Sequence, residues 1–231
     1  MKSLCFVSML LLVMVGCKKD GPIENIPEIV KENVDWYILT APDPRDVKAV
    51  YGDIDSTLVI TTGYGIYTTS DKGKTWRDAG YKSNSGLFAF AAKGDTLLAL
   101  NVMSKSTATG EDLFAKNPYY FSLDMGSTWM PYPEWPRDEN LNVLLNRVKS
   151  VGGIEYSINR ENSDGSIDLT RIRTSSGNLI TLPAKHQTAS LFFDQKSRLY
   201  ISASAPICSS GSSFYCGSAN GTIYISKKPQ P

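Results

Sequence analysis

Two carboxylates stand out by their surroundings. Asp71 lies in Thr69-Ser70-Asp71-Lys72-Gly73-Lys74-Thr75-Trp76, and Asp124 lies 53 residues downstream in Ser122-Leu123-Asp124-Met125-Gly126-Ser127-Thr128-Trp129. Both phrases read S/T-x-D-x-G-x-T-W. An aspartate in such a setting could belong to a calcium loop, act as a catalytic acid, or tie a turn to itself. The flanking residues favour the turn. Asp71 and Asp124 are expected to accept hydrogen bonds from backbone N–H groups two residues on. Gly73 and Gly126 can take a positive φ at little cost. The hydroxyls of Thr75 and Thr128 can close the turn back on the carboxylate. Trp76 and Trp129 then begin a strand and bury a large apolar surface. The two phrases therefore read as folding staples.

Other chemistry is thinly represented. The chain contains no phosphate loop, no nucleophile elbow and no cluster of metal-ligating types, so neither a cofactor nor a metal is expected. His186 is the single histidine, and as a lone residue it reads as a surface or structural group. A tyrosine such as Tyr64 and an acid such as Glu134 could lie near one another, but nothing in the sequence places them so, and a site needs geometry as well as residue types.

These residues need elements to position them, and the spacing supplies those elements. Thr174 and Ser226 continue the period of Thr69 and Ser122, so an anchor recurs at 69, 122, 174 and 226. Three β-like runs precede each anchor: 47–51, 57–62 and 65–69; 87–92, 96–102 and 119–122; 142–149, 154–159 and 168–174; 190–194, 199–203 and 222–226. Each run is short, β-branched or aromatic, and bounded by turn formers. A fourth run follows the first three anchors, at 75–78, 128–132 and 179–182. A repeat of this length with four strands apiece predicts an all-β chain, a small β-propeller of four blades, each of four antiparallel strands A-B-C-D. The last blade lacks its D strand. Residues 35–40, Asp-Trp-Tyr-Ile-Leu-Thr, are expected to supply it and to close the ring, which removes exposed sheet edges and predicts a monomer. The S/T-x-D-x-G-x-T-W turns resemble the Asp-box of the sialidase-like β-propeller superfamily, also called the BNR repeat. That resemblance implies a propeller. It also raises a glycoside hydrolase, whose arginine triad and six-bladed catalytic ring have no counterpart legible in this chain.

The N-terminus carries a second signal. Lys2 precedes an apolar run, Leu4 to Val15, too short for a confident membrane span and suited to a secretory signal. Met14-Val15-Gly16-Cys17 resembles a bacterial lipobox, which implies lipidation of Cys17. Lys18-Lys19-Asp20 resembles the charged tags that send some lipoproteins to the outer face of the outer membrane. The expected organisation is a signal peptide at 1–16, a lipidated flexible tether at 17–34 and the propeller at 35–231, exported and anchored in the outer membrane by its lipid. Export favours a disulfide between Cys208 and Cys216. The full chain has 24 basic and 23 acidic residues, and removal of Lys2 balances them, so no electrostatic footprint for nucleic acid is present.

In a propeller the B–C and D–A loops share one face, opposite the C–D turns. Long B–C loops are expected at 103–118, 160–167 and 206–221, against a tight turn at Gly63-Tyr64-Gly65. The candidate ligand face comprises Arg45, Tyr81, Tyr132, Trp135 and Arg137, with Trp135 suited to stacking on a sugar and Arg137 to gripping a carboxylate. The expected function is non-catalytic: a cell-envelope lipoprotein whose loop face binds a glycan or a protein partner. The alternatives are an envelope assembly or scaffold factor, and a sialidase-like hydrolase.

Overall fold

The computed structural model describes residues 33–81, 84–106, 111–133, 141–160, 170–208 and 215–231. Among these the secondary structure is entirely β. Strand β1 (Trp36–Thr40) comes first. Blade I is β2 (Ala49–Gly52), β3 (Leu58–Thr61), β4 (Ile66–Thr69) and β5 (Arg77–Asp78). Blade II is β6 (Ala89–Lys93), β7 (Thr96–Lys105), β8 (Leu113–Ser122) and β9 (Met130–Pro131), with β10 (Asn142–Leu144) added on the far side of β8. Blade III is β11 (Arg147–Lys149), β12 (Glu155–Arg160), β13 (Thr170–Thr174) and β14 (Leu179–Ile180). Blade IV is β15 (Thr188–Phe193), β16 (Leu199–Ala203) and β17 (Thr222–Ser226), completed by β1 in the order β1-β17-β16-β15. The result is a four-bladed β-propeller closed by its N-terminal strand, in the register Trp36↔Ser226 to Thr40↔Thr222.

The core is divided among the blade interfaces, and the period-two alternation of strands explains how. In β3, Leu58 and Ile60 face blade IV, while Val59 faces blade II. In β16 and β17, Tyr200, Ile223 and Ile225 pack toward blade I, while Leu199, Ile201 and Tyr224 pack toward blade III. In β7, Leu97 and Ala99 meet blade I, and Leu98 and Leu100 turn the other way, onto Leu145. Strands apolar on both faces can stack blade on blade, and this continuity builds a ring. Blade III departs from the pattern. Tyr156, Ile158 and Ile172 face blade IV, whereas the alternate positions are Ser157, Asn159, Arg171 and Arg173.

Two expectations change. The third A strand is split: β10 joins blade II, Leu145 and Asn146 cross over, and only β11 begins blade III. Asn146 fixes the crossover, accepting from the Leu113 N–H at 2.9 Å and donating to the Glu111 carbonyl at 2.8 Å. Strands β7 and β8 run on past the expected ends, so the loop expected at 103–118 shrinks to 106–112. Their register shifts at Ala99/Leu100, where Asn117 takes φ 65° and bonds Asn101. Among the described residues the ring therefore contains one strand more than four blades of four.

Candidate functional site

The repeated turns set one face of the ring. In the first, Asp71 accepts the Thr75 hydroxyl at 2.6 Å, the Thr75 N–H at 2.9 Å and the Thr69 hydroxyl at 2.7 Å. The second repeats this: Asp124 accepts the Thr128 hydroxyl at 2.7 Å, the Thr128 N–H at 2.8 Å and the Ser122 hydroxyl at 2.8 Å. The backbone donor lies four residues on, where two was expected, because the Gly73 and Gly126 N–H groups go instead to the hydroxyls of Thr69 and Ser122, at 3.0 and 2.8 Å. Burial acts to raise both carboxyls, but these hydrogen bonds outweigh it and hold them below the usual range. Both oxygens of each carboxylate thus take donors from within their own turn.

The same turns join neighbouring blades. Gly73 takes φ 80°, and a Cβ there would lie 2.7 Å from Leu39 of the closing strand; Gly126 takes φ 86°, and its Cβ would lie 2.7 Å from Val59 of blade I. Trp76 donates its indole N–H to the Thr40 carbonyl at 3.1 Å, and Trp129 to the Gly126 carbonyl at 3.0 Å. Thr174 keeps a worn version, in which its hydroxyl accepts the Asn178 N–H at 3.0 Å.

A polar clamp missed by sequence reasoning lies on this same face. Arg198, in the turn between β15 and β16, donates to Asp194 at 2.7 Å, to Asp55 at 2.7 Å and also to Asp53, both in the turn between β2 and β3. Tyr200 donates to Asp194 at 2.9 Å and accepts the Ile54 N–H at 3.1 Å. Lys196 adds ion pairs to Asp53 and Asp55 at 2.9 Å each. The side-chain bonds from Lys196 and Arg198 hold Asp55 far below the ordinary carboxylate range. The available signal was the matching place of two acid-rich turns, Asp53-Ile54-Asp55 and Asp194 to Arg198, in blades I and IV.

Of the candidate ligand residues, Arg45 lies on the opposite, loop face. Arg45 is exposed, stacks its guanidinium 5.6 Å from the centre of the Tyr64 ring, and pairs with Asp43 at 3.1 Å. Asp43 Oδ2 also accepts the Thr62 hydroxyl at 2.8 Å and the Tyr67 hydroxyl at 3.0 Å. Burial, then the charge of Asp43, pushes the Tyr67 hydroxyl well above its usual range. Tyr81, expected on this face, is a packing residue instead: it is buried between blades I and II, edge-on to Tyr120, with its hydroxyl on the Ser85 carbonyl at 2.7 Å. Tyr132 is half-buried against Phe121. Trp135, Arg137, Glu134 and Cys17 lie outside the described residues.

Two further features stabilise this face. Cys208 and Cys216 form a disulfide with a Cα–Cα distance of 5.1 Å. His186 is 2 % exposed and is a structural group. Its Nδ1 donates to the Ser204 carbonyl at 2.9 Å, so its Nε2 accepts the Tyr224 hydroxyl at 2.7 Å. Burial lowers its pKa despite that carbonyl, and burial likewise raises the Tyr224 hydroxyl to about 12. Among the described residues no group of three or more His, Cys, Asp or Glu is placed to hold a metal.

No protein-family model matches the chain, and no curated protein matches it. A solved structure described as streptogramin B lyase is similar at 13% identity with a TM-score of 0.26, over 85% of this chain and 60% of that one. The chain thus spans less than two thirds of that structure's length, and no residue role is carried over from it.

Proposed function

We propose that the chain is an exported, lipid-anchored envelope protein whose loop face binds a glycan without transforming it. The observation that carries this reading is the contrast between the two faces. On the turn face Asp71 and Asp124 are committed to hydrogen bonds within their turns, and Asp53, Asp55 and Asp194 to the Arg198 clamp. The loop face instead presents an exposed aromatic ring, Tyr64, beside an exposed cation, Arg45. Aromatic faces with a few convergent polar groups suit a polyhydroxylated ligand.

The direction of the closing strand fits an anchor. Trp36 begins β1 at the end of blade IV that holds the turns, so the chain before it leaves from the turn face. A tether running from Cys17 would hold the loop face away from the membrane. The turn geometry also suits membership of the sialidase-like Asp-box propellers as a binding member, since function is carried by sites and not by folds.

The test is a glycan array probed with the full-length chain beside Trp135→Ala, with labelling by a lipid analogue in wild type and Cys17→Ser. Selective binding lost in Trp135→Ala, and label lost in Cys17→Ser, are the expected results. A folded protein that binds no glycan would refute the ligand reading. A second reading, an envelope protein as partner, is favoured by the half-exposed Val102 and Met103 on the extended β7–β8 hairpin. Crosslinking in intact cells would identify such a partner.

A further inference from the structure

Blade I has the shortest B–C connection of the four. Its B–C turn is only 62–65, whereas the corresponding connections of the other three blades run over 106–112, 161–169 and 204–221. Tyr64 stands at the tip of that short turn with its side 52% exposed. The Thr62 N–H bonds the Gly65 carbonyl at 3.1 Å, and the Thr61 hydroxyl bonds the same carbonyl at 3.0 Å, so the turn is held as a rigid platform.

Beneath the platform lies an unbalanced carboxylate. Asp43 Oδ2 takes three donors, Thr62, Tyr67 and Arg45, while Oδ1 is buried and accepts none. Such an orphan acceptor carries a desolvation cost that a ligand donor would relieve. Arg45 sits between Asp43 and the Tyr64 ring, and its side chain is 51% exposed. Being exposed, it can swing off Asp43, uncovering the carboxylate, and still reach a ligand laid on Tyr64.

The charges in this place cancel. Arg45 pairs with Asp43, and Lys48 pairs with Asp46 at 3.1 Å. An anionic sugar would meet a cation already neutralised, and a carboxylate beside it. A neutral sugar would meet a stacking ring, a guanidinium donor and a carboxylate acceptor with free capacity. From this we infer that Tyr64, Arg45 and Asp43 form a subsite for a neutral saccharide, the ring stacking on Tyr64 and a hydroxyl donating to Asp43. This inference rests on the glycan reading above and narrows it to one place and one class of sugar.

Neutral, N-acetylated and sialylated oligosaccharides would be titrated against the full-length chain and against Tyr64→Ala and Asp43→Asn. Tyr64 is exposed and Asp43→Asn preserves shape, so folding of each variant is checked by its melting curve, with Arg45→Ala standing in for either that fails. Binding of neutral sugars weakened at least about tenfold in the variants, a loss of roughly 1.4 kcal/mol, is the expected result. Neutral sugars bound equally by folded variants would overturn the subsite and leave the glycan reading standing. So would a preference for sialylated sugars. An absence of binding to any saccharide would overturn both.

Discussion

The Arg198 guanidinium of blade IV bonds Asp55 of blade I at 2.7 Å, across the seam where the ring closes. Another of its partners, Asp194, has a side chain 2 % exposed. Removing the cation leaves that charge buried without a counter-ion, held only by the Tyr200 hydroxyl and the Lys196 and residue-198 backbone N–H groups. Arg198→Ala is therefore expected to cost about 3–5 kcal/mol, as for a broken buried pair, read from urea unfolding. A loss below about 1 kcal/mol, the level of an exposed pair, would contradict the role assigned to the clamp.

The same clamp sets the acid limit. Asp55 has a folded pKa below its ordinary value of 3.8, so the unfolded chain binds its proton first. The stability it contributes is fully present above pH 3.8 and disappears as the pH falls through the lowered folded value. In a series of melts below that pH, wild type should lose stability steeply and Arg198→Ala less steeply. Parallel curves would mean that other carboxylates set the limit.

His186 loses its contribution in the same direction of pH, but as a group that is neutral in the fold. It is neutral in the fold, with a pKa below 6.5. Its favourable burial is complete above pH 6.5 and is lost as the pH falls through the lowered value, because protonation strands a cation beside the Tyr224 hydroxyl. Between about pH 7 and 5 the melting temperature should fall in wild type, and the fall should be smaller in His186→Gln. Equal slopes in the two proteins would show that His186 is not the group that titrates.

Gly126 should tolerate no side chain. Its φ of 86° disfavours any L residue, and Val59 occupies the space a Cβ would need, 2.7 Å away. Gly126→Ala is expected to destabilise by about 1–3 kcal/mol. Val59→Ala in the same chain opens the space, so the double variant should lose less than the sum of the two single losses. Simple additivity would place the whole cost in the backbone.

Deleting residues 1–40 removes the partner of β17. The exposed edge of Thr222–Ser226 is apolar at Ile223 and Ile225, and such an edge recruits another strand. Size-exclusion chromatography should show dimers or larger species. A stable monomer with an unchanged melting curve would mean that the ring does not depend on β1.

The sequence revealed the parts of the fold that local chemistry dictates. The S/T-x-D-x-G-x-T-W turns were legible because each donor and acceptor lies within a few residues of Asp71 or Asp124. The closing strand was legible because Asp35-Trp36 repeats the polar-then-Trp entry of a D strand, and strands β16 and β17 fall at the expected residues. The split at Leu145 was hidden, because Asn142–Lys149 is β-like throughout and only Asn146, bonded to Glu111 and Leu113, decides where it crosses. Tyr81 was misplaced because a tyrosine in a D–A loop can face either way, and Tyr120 draws it inward. The Arg198 clamp and the Asp43 cluster join residues distant in the chain, and pairings of that kind leave no local trace.

Because β1 pairs with β17, the chain's order of appearance matters. Blades I to III can each be assembled as their own strands emerge. The segment Trp36–Thr40 is made before blades I to III, yet its permanent neighbour Thr222–Ser226 is made after them. It must wait as a loose end, carrying Trp36 and Leu39 uncovered, while those three blades are made. A helper that shields such a segment would act before blade I forms and let go when β17 arrives.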